Sequence, residues 1–288
     1  MPELPEVETT CRSIAPLMQG QPLLGIVVLR ERLRFPVPTD LPDVCRHAVV
    51  QNIHRRAKYI LFTLNNNKTI LLHLGMSGRL CHKPAIEPYA PHDRIVFELP
   101  AGQQIRLHDP RCFSLVLLED TRTVYQHRLL KDLGPEPLEE TFQPAYLHSI
   151  CQKRTAPIKT VLMDQAVVVG VGNIYANEAL FRARIHPTTP ANTLTERDCL
   201  NLIMAITAVL SEALSAGGTT LRDYMQIDGK LGYFHESFSV YGRDNQKCLA
   251  KNCPGIIQRI VLGQRSTFFC PHCQSTPTDK TTDNTIAS

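Results

Sequence analysis

The chain has 288 residues, 43% of them hydrophobic, which is enough to fill a core in each of two domains. Its formal net charge of +4 is too small to hold a polyanion by itself, so any nucleic-acid partner has to be bound through local Arg and Lys clusters. No uninterrupted apolar run approaches the roughly eighteen residues of a membrane helix, and Glu3, Glu6 and Glu8 stand where a signal peptide carries basic residues; a cytoplasmic protein without a membrane partner is expected.

The chain opens MPELPEVETT. Removal of Met1, common when the next residue is small, leaves the secondary amine of Pro2 as the terminus, an unusual nucleophile. Pro5 suits the first turn of a helix and Glu6 and Glu8 its positive end, while Val7, Cys11, Ile14 and Met18 recur at helical spacing. An amphipathic helix therefore starts almost at the terminus. From about residue 24 to 120 the pattern turns β-like, with LLGIVVL, YILFTL, TILLHLGM, RIVFEL and FSLVLL punctuated by Asn, Pro and Gly, as in a sandwich or barrel-like sheet.

The stretch from Asp132 to Pro144 is rich in proline and acid and reads as a linker. Beyond it the period is helical in IKTVLMDQ, NIYANEALFRARI and TERDCLNLIMAITAVLSEALSAGG. In GVGNIYANEALF the glycines allow a tight turn and Asn173 is placed to cap the following helix, whose free N–H groups and dipole attract phosphate. The polar tail TPTDKTTDNTIAS reads as disordered, and there is no internal repeat.

Of the ten cysteines, six (Cys11, Cys45, Cys81, Cys112, Cys151, Cys199) are scattered among apolar neighbours and read as buried thiols. Cys248, Cys253, Cys270 and Cys273 form a C-x4-C pair and a C-x2-C pair separated by sixteen residues. Two thiolate pairs on tight turns, brought together by a hairpin, supply the tetrahedral sulfur sphere of one structural Zn²⁺. All four positions come from protein, so the metal is structural and not catalytic. The hairpin between the pairs, IIQRIVL and STFFC with GQR at the turn, puts Arg265 at an exposed tip, where its guanidinium can hold a phosphate in bidentate fashion.

MPELPEVE, RRAKYILF, HLGMSGRL, HDPRCF, GVGNIYANEALFRARIHP, GGTTLRDYMQIDGKLGYF, VYGR and the cysteine unit together resemble the bacterial formamidopyrimidine-DNA glycosylase family, in order from residue 2 to about 274. The resemblance implies a bifunctional base-excision repair enzyme that removes 8-oxoguanine and formamidopyrimidines from double-stranded DNA, then cuts the abasic strand by β,δ-elimination. It implies an α+β fold of two domains: an N-terminal helix with a β-sandwich, then a helical helix-two-turn-helix domain with a zinc finger β-hairpin. The expected boundaries are 1–131 for the catalytic domain, 132–145 for the linker, 146–240 for the helix-two-turn-helix domain with a lesion-recognition loop at 217–233, 241–274 for the finger and 275–288 for the tail. A monomer is expected.

By the same resemblance Pro2 forms an iminium with the damaged nucleotide's sugar. An α-amine has a pKa of about 8 against about 10.4 for a lysine side chain, so much more of it is neutral near pH 7. Glu3 donates a proton to the opening sugar ring. A carboxylate serving only the positive helix start fits Glu6 and Glu8 better. The resemblance assigns acid chemistry and phosphate contact to Lys58 and a place in the catalytic pocket to Glu178. His73 and Asn173, with Lys58 and Arg265, contact DNA phosphates, and His92 and Lys159 are further DNA contacts. Met76, Arg111 and Phe113 fill the hole left by the flipped-out nucleotide. Backbone N–H groups from Thr219 and Thr220 to Tyr224 recognise the oxidised base from a loop that closes as a lid.

Ala57, Arg94, His108, Cys112, Ser114 and the C-x4-C spacing depart from the family pattern. Two other readings share parts of it: an endonuclease VIII type enzyme acting on oxidised pyrimidines, and a catalytically silent DNA-binding homologue. The long GGTTLRDY segment favours the purine-lesion branch over the first, and Pro2, Glu3 and Lys58 together argue against the second.

Overall fold

The computed structural model describes residues 2–219 and 237–275. They fall into two compact units, one of Met1–Asp132 with Ala213–His235 and the other of Leu133–Glu212 with Glu236–Ser288.

In the first unit the apolar stripe at the start of the chain becomes one face of helix α1 (Leu4–Met18), with Val7, Cys11, Ile14 and Met18 all buried. Burial of each large apolar side chain contributes roughly 1.5–3 kcal/mol, so packing rather than propensity holds this helix. Strand β1 (Gly25–Val28) is followed by the short helix α2 (Leu41–Cys45) and seven more strands: β2 (Val50–Arg56), β3 (Tyr59–Leu64), β4 (Lys68–His73), β5 (Arg79–Pro84), β6 (Asp93–Leu99), β7 (Gln103–His108) and β8 (Leu115–Asp120). They form two antiparallel four-stranded sheets, ordered β1-β6-β7-β5 and β2-β3-β4-β8. Apolar residues of both sheets join the buried face of α1 in one core, and Phe62 of β3 stacks on Phe97 of β6 with ring centroids 5.7 Å apart.

Three of these strands are absent from the apolar pattern of the sequence: β2 (VQNIHRR), β5 (RLCHKP) and β7 (QQIRLH). In β7 the polar residues Gln104 and Arg106 are themselves buried. The Arg106 guanidinium donates to the carbonyls of Pro84, Glu87 and Pro88, to Gln104 Oε1 and to Asp93 Oδ2, which satisfies a charge that burial alone would penalise severely.

The second unit holds helices α3 (Pro144–Cys151), α4 (Ile158–Leu162), α5 (Asn173–Arg182) and all but the last residues of α6 (Glu196–Ser215), then the hairpin of β9 (Gln258–Leu262) and β10 (Arg265–Phe269). Helix α4 is shorter than IKTVLMDQ suggests. Asp164 ends it, accepting from Ala166 N–H and from Arg154 Nη1. Thr195 and Asp198 form a reciprocal capping box at the start of α6. The 132–145 stretch is tied down: Gly134 N–H donates to the Gln165 carbonyl, Pro135 accepts from Val169 N–H, and Glu136 is buried. Asn173 is not the N-cap of α5. Gly172, in an extended conformation, takes that position, and the Asn173 side chain reaches instead to the hairpin.

Candidate active site and nucleic-acid interface

Pro2 and Glu3 are buried at the entry to α1. Glu3 is the N-cap and forms a capping box with Glu6: the Glu3 N–H donates to Glu6 Oε2 at 2.8 Å. Glu3 thus also serves the helix start, a role that the helix dipole suggests for Glu6 and Glu8. Glu6 in turn is no solvated partner of the helix dipole. It is 2% exposed, and its Oε1 accepts the Thr219 N–H at 2.8 Å. The Glu3-x-x-Glu6 spacing of a capping box signals the first of these bonds in the sequence; the bond to Thr219 has no local signal.

Glu8, two residues on, pairs with Arg12 on the surface and with Arg55 of β2, whose Nε lies 3.0 Å from Glu8 Oε2. Arg55 Nη1 also donates to the carbonyl of Ala57 at 2.9 Å. Arg56 pairs with Tyr59, so Ala57 and Lys58 form the two-residue turn between β2 and β3. Ala57 has φ 54°, the left-handed conformation where glycine would be at ease. Arg55 therefore latches the Lys58 turn to the helix that begins behind Pro2 and Glu3. Lys58 is 9% exposed, not a solvated lysine.

His73, at the end of β4, pairs with Tyr59 and lies against its ring. Its Nδ1 accepts the Gly75 N–H at 2.9 Å, which fixes the neutral tautomer with the proton on Nε2. Burial first, then the charges of Lys58 and Arg34, lower its pKa to about 4. His73 can thus donate Nε2–H to a phosphate without carrying charge.

Two loops of this unit bear exposed apolar side chains. Met76 is 41% exposed and Phe113 43%, and the Arg111 guanidinium lies over the Phe113 ring at 4.8 Å. His92, also exposed, takes a hydrogen bond from Arg94 Nη2 and meets His108 edge-on.

In the second unit, Glu178 of α5 is buried, and its carboxylate accepts three backbone N–H groups: Ser239 at 2.9 Å on Oε2, Val240 at 3.0 Å and Tyr241 at 2.8 Å on Oε1. Lys159 of α4 is 1% exposed, and its ammonium donates to Thr267 Oγ1 at 2.6 Å and to the Ser266 carbonyl at 3.2 Å. The resemblance implies a DNA contact for Lys159; here its ammonium is turned into the hairpin. Asn173 Nδ2 donates to the same Ser266 carbonyl at 3.0 Å, and Asn177 Oδ1 accepts from Phe268 N–H. These bonds fix β10, whose first residue is the exposed Arg265. The preceding turn, Gly263 and Gln264, has positive φ at both positions, as a tight two-residue hairpin requires. A cleft of about 400 Å³ beside it is lined by Arg154, Lys159, Thr160, Asp164 and Arg265.

The four finger cysteines fit a zinc ion. Their sulfur atoms all lie within 4.8 Å of one another, with Cys248–Cys273 at 3.8 Å and Cys253–Cys270 at 3.7 Å. A tetrahedron with Zn–S bonds of about 2.3 Å has edges of about 3.8 Å. The Ala250 and Gly255 N–H groups donate to Cys248 and Cys253 sulfurs, which orients these ligands; the longer first knuckle still delivers both.

Thr220, Tyr224 and most of the 217–233 segment lie outside the described residues, as do Met1 and the tail from residue 276.

Family models match three stretches: the formamidopyrimidine-DNA glycosylase N-terminal domain at residues 1–116, the H2TH domain of the same glycosylase at 133–225, and the zinc finger found in FPG and IleRS at 245–276. The formamidopyrimidine-DNA glycosylase of Thiobacillus denitrificans is 47% identical over 95% of this chain and all of its own. That of Hahella chejuensis is 46% identical with the same coverage. Among solved structures, the MutM (Fpg) protein of Thermus thermophilus superposes with a TM-score of 0.85 at 39% identity, covering 96% of this chain and 99% of that one. The Lactococcus lactis Fpg bound to DNA containing an abasic site gives 0.88 at 33% identity, covering 95% and 99%.

Proposed function

The chain belongs to the formamidopyrimidine-DNA glycosylase family, and from that membership we propose the following reading of its site: it is a DNA glycosylase and abasic-site lyase that excises 8-oxoguanine and formamidopyrimidines through Pro2. The Pro2 nitrogen, freed of Met1, attacks C1′ of the damaged nucleotide. The bond from C1′ to the base breaks and the base leaves with a proton. Opening of the sugar, with a proton from Glu3 to its ring oxygen, gives an iminium between Pro2 and C1′. Loss of a C2′ proton then expels the 3′ phosphate, a second elimination expels the 5′ phosphate, and water releases the sugar fragment from Pro2.

The observation that carries this reading is the buried, capped start of α1, joined through Glu8 and Arg55 to the Lys58 turn. It holds a terminal nucleophile, a carboxyl and an ammonium on rigid elements of one unit. Lys58 and the neutral His73 face the phosphates of the reacting strand. Met76, Arg111 and Phe113 enter the duplex in place of the flipped nucleotide and offset part of the few kcal/mol of lost stacking. Arg265, presented by the zinc hairpin, and Asn173 hold further phosphate, with Lys159 acting through the hairpin it bonds. Glu178 supports the site by fixing residues 239–241. One structural Zn²⁺ on the four cysteines holds the finger and leaves no open coordination position. The enzyme acts as a monomer on nucleoid DNA in the cytoplasm.

The deciding experiment uses protein shown by intact mass to lack Met1, incubated with duplexes carrying 8-oxoguanine or an oxidised pyrimidine in the presence of borohydride. Trapping on the 8-oxoguanine strand is expected. Trapping on the pyrimidine lesion alone supports an endonuclease VIII type enzyme, and trapping on neither leaves a DNA-binding protein without chemistry.

A further inference from the structure

Asp109 directly follows β7, is fully buried, and has no part in the chemistry above. Its carboxylate takes four hydrogen bonds. Oδ1 accepts from Ser77 Oγ at 2.9 Å and from Arg111 N–H at 3.2 Å. Oδ2 accepts from Ser114 N–H at 2.8 Å and Ser114 Oγ at 2.7 Å. Burial works to raise its pKa, but the bonds from Ser114, Ser77 and Arg111 outweigh it and hold the carboxyl below its ordinary value, so it is charged throughout the working range.

The four donors come from two separate loops. Ser77 follows Met76 directly, while Arg111 and Ser114 bracket Phe113. The loops also meet through their backbones: a Cβ added at Gly75 would collide with the carbonyl of Phe113. Asp109's own backbone is fixed as well, since its N–H donates to the His92 carbonyl and its carbonyl accepts from Arg94 Nε at 2.8 Å. Cys112, between the wedge residues, has φ 56°, a conformation that persists only where its surroundings impose it.

We propose that Asp109 is a positioning residue that ties the Met76 loop to the Arg111–Phe113 loop, so that three exposed side chains enter DNA as one preorganised wedge. The proposal rests on the wedge role assigned above. A carboxylate suits the task because each oxygen accepts two bonds, and bonds to a charged acceptor are about twice as strong as neutral ones. Without it, four donors, three of them in buried bonds, would lose their shared acceptor.

The test compares single-turnover excision of 8-oxoguanine from an intact duplex with excision from a duplex lacking the nucleotide opposite the lesion, where the wedge has no orphan base to meet. Asp109→Asn puts an amide donor against two of the four donors. Its excision from the intact duplex is expected to fall about 10- to 100-fold, the scale of a misplacement near 1 Å, with less than a threefold loss on the gapped duplex. Equal losses on both substrates in a protein that melts normally would overturn the proposal, as would no loss on either. Should Asp109→Asn melt below the assay temperature, Ser77→Ala, which cuts only the link to the Met76 loop, is expected to show the same split in smaller measure, and its absence counts equally against the tie. If the wild-type protein excises from neither substrate, it is the enzymatic reading that fails.

Discussion

Glu178→Gln keeps the shape of a buried side chain and removes its charge. The native carboxylate accepts three backbone N–H groups, two on Oε1 and one on Oε2. The glutamine oxygen can keep Val240 and Tyr241, but its amide then faces the Ser239 N–H, donor against donor. The lost charge-assisted bond is worth about 1.5–3 kcal/mol, and each retained bond weakens by about half to one, since bonds to a neutral acceptor are roughly half as strong. The lower desolvation cost of a neutral side chain returns part of this, leaving about 2–4 kcal/mol. For a unit of this size that lowers the melting midpoint by about 6–16 °C. Differential scanning calorimetry of the zinc-loaded protein measures it, the transition of the second unit being the one that chelation moves. A midpoint within 2 °C of wild type would show that the three bonds do not carry the 239–241 turn.

Metal analysis is expected to find one zinc per chain, and Cys253→Ser or a strong chelator should remove it, abolish DNA binding and leave the first unit folded by circular dichroism. A metal-free protein that still binds and cuts DNA would refute the structural site. Arg265→Ala should weaken binding across sequences and lower the slope of log affinity against log salt by about 1; an unchanged slope counts against a phosphate contact. The His73 imidazole should titrate near pH 4 by NMR. Its folded-state value lies below the unfolded one near 6.5, so the unfolded chain binds the extra proton. Stability contributed by this group is complete above about pH 6.5 and lost as pH falls through 4, by at most about 3–4 kcal/mol. A midpoint above 6 would contradict the buried neutral tautomer.

Much of the architecture was legible wherever one residue type answers to one physical demand. The spacing of Val7, Cys11, Ile14 and Met18 gives α1, the apolar runs give β3, β4, β6 and β8, and the cysteine pairs give the finger. What escaped was set by partners distant in sequence. Strand β7 reads as polar because Arg106 is buried against carbonyls some twenty residues upstream and Gln104 against Arg106, which no local period records. Glu6 carries an ordinary helix-start residue type, yet its partner at Thr219 lies 213 residues away. Asp109 and Arg55 escaped for the same reason: a carboxylate and a guanidinium that join two loops, or a helix and a turn, look like surface charges until the loops are in place.

The close approach of Gly75 to the Phe113 carbonyl limits how the two loops can diversify. Widening residue 75 by a single methyl group would prise the pair apart. A side chain at position 75 is therefore accommodated only together with a compensating change in the backbone of 113–114.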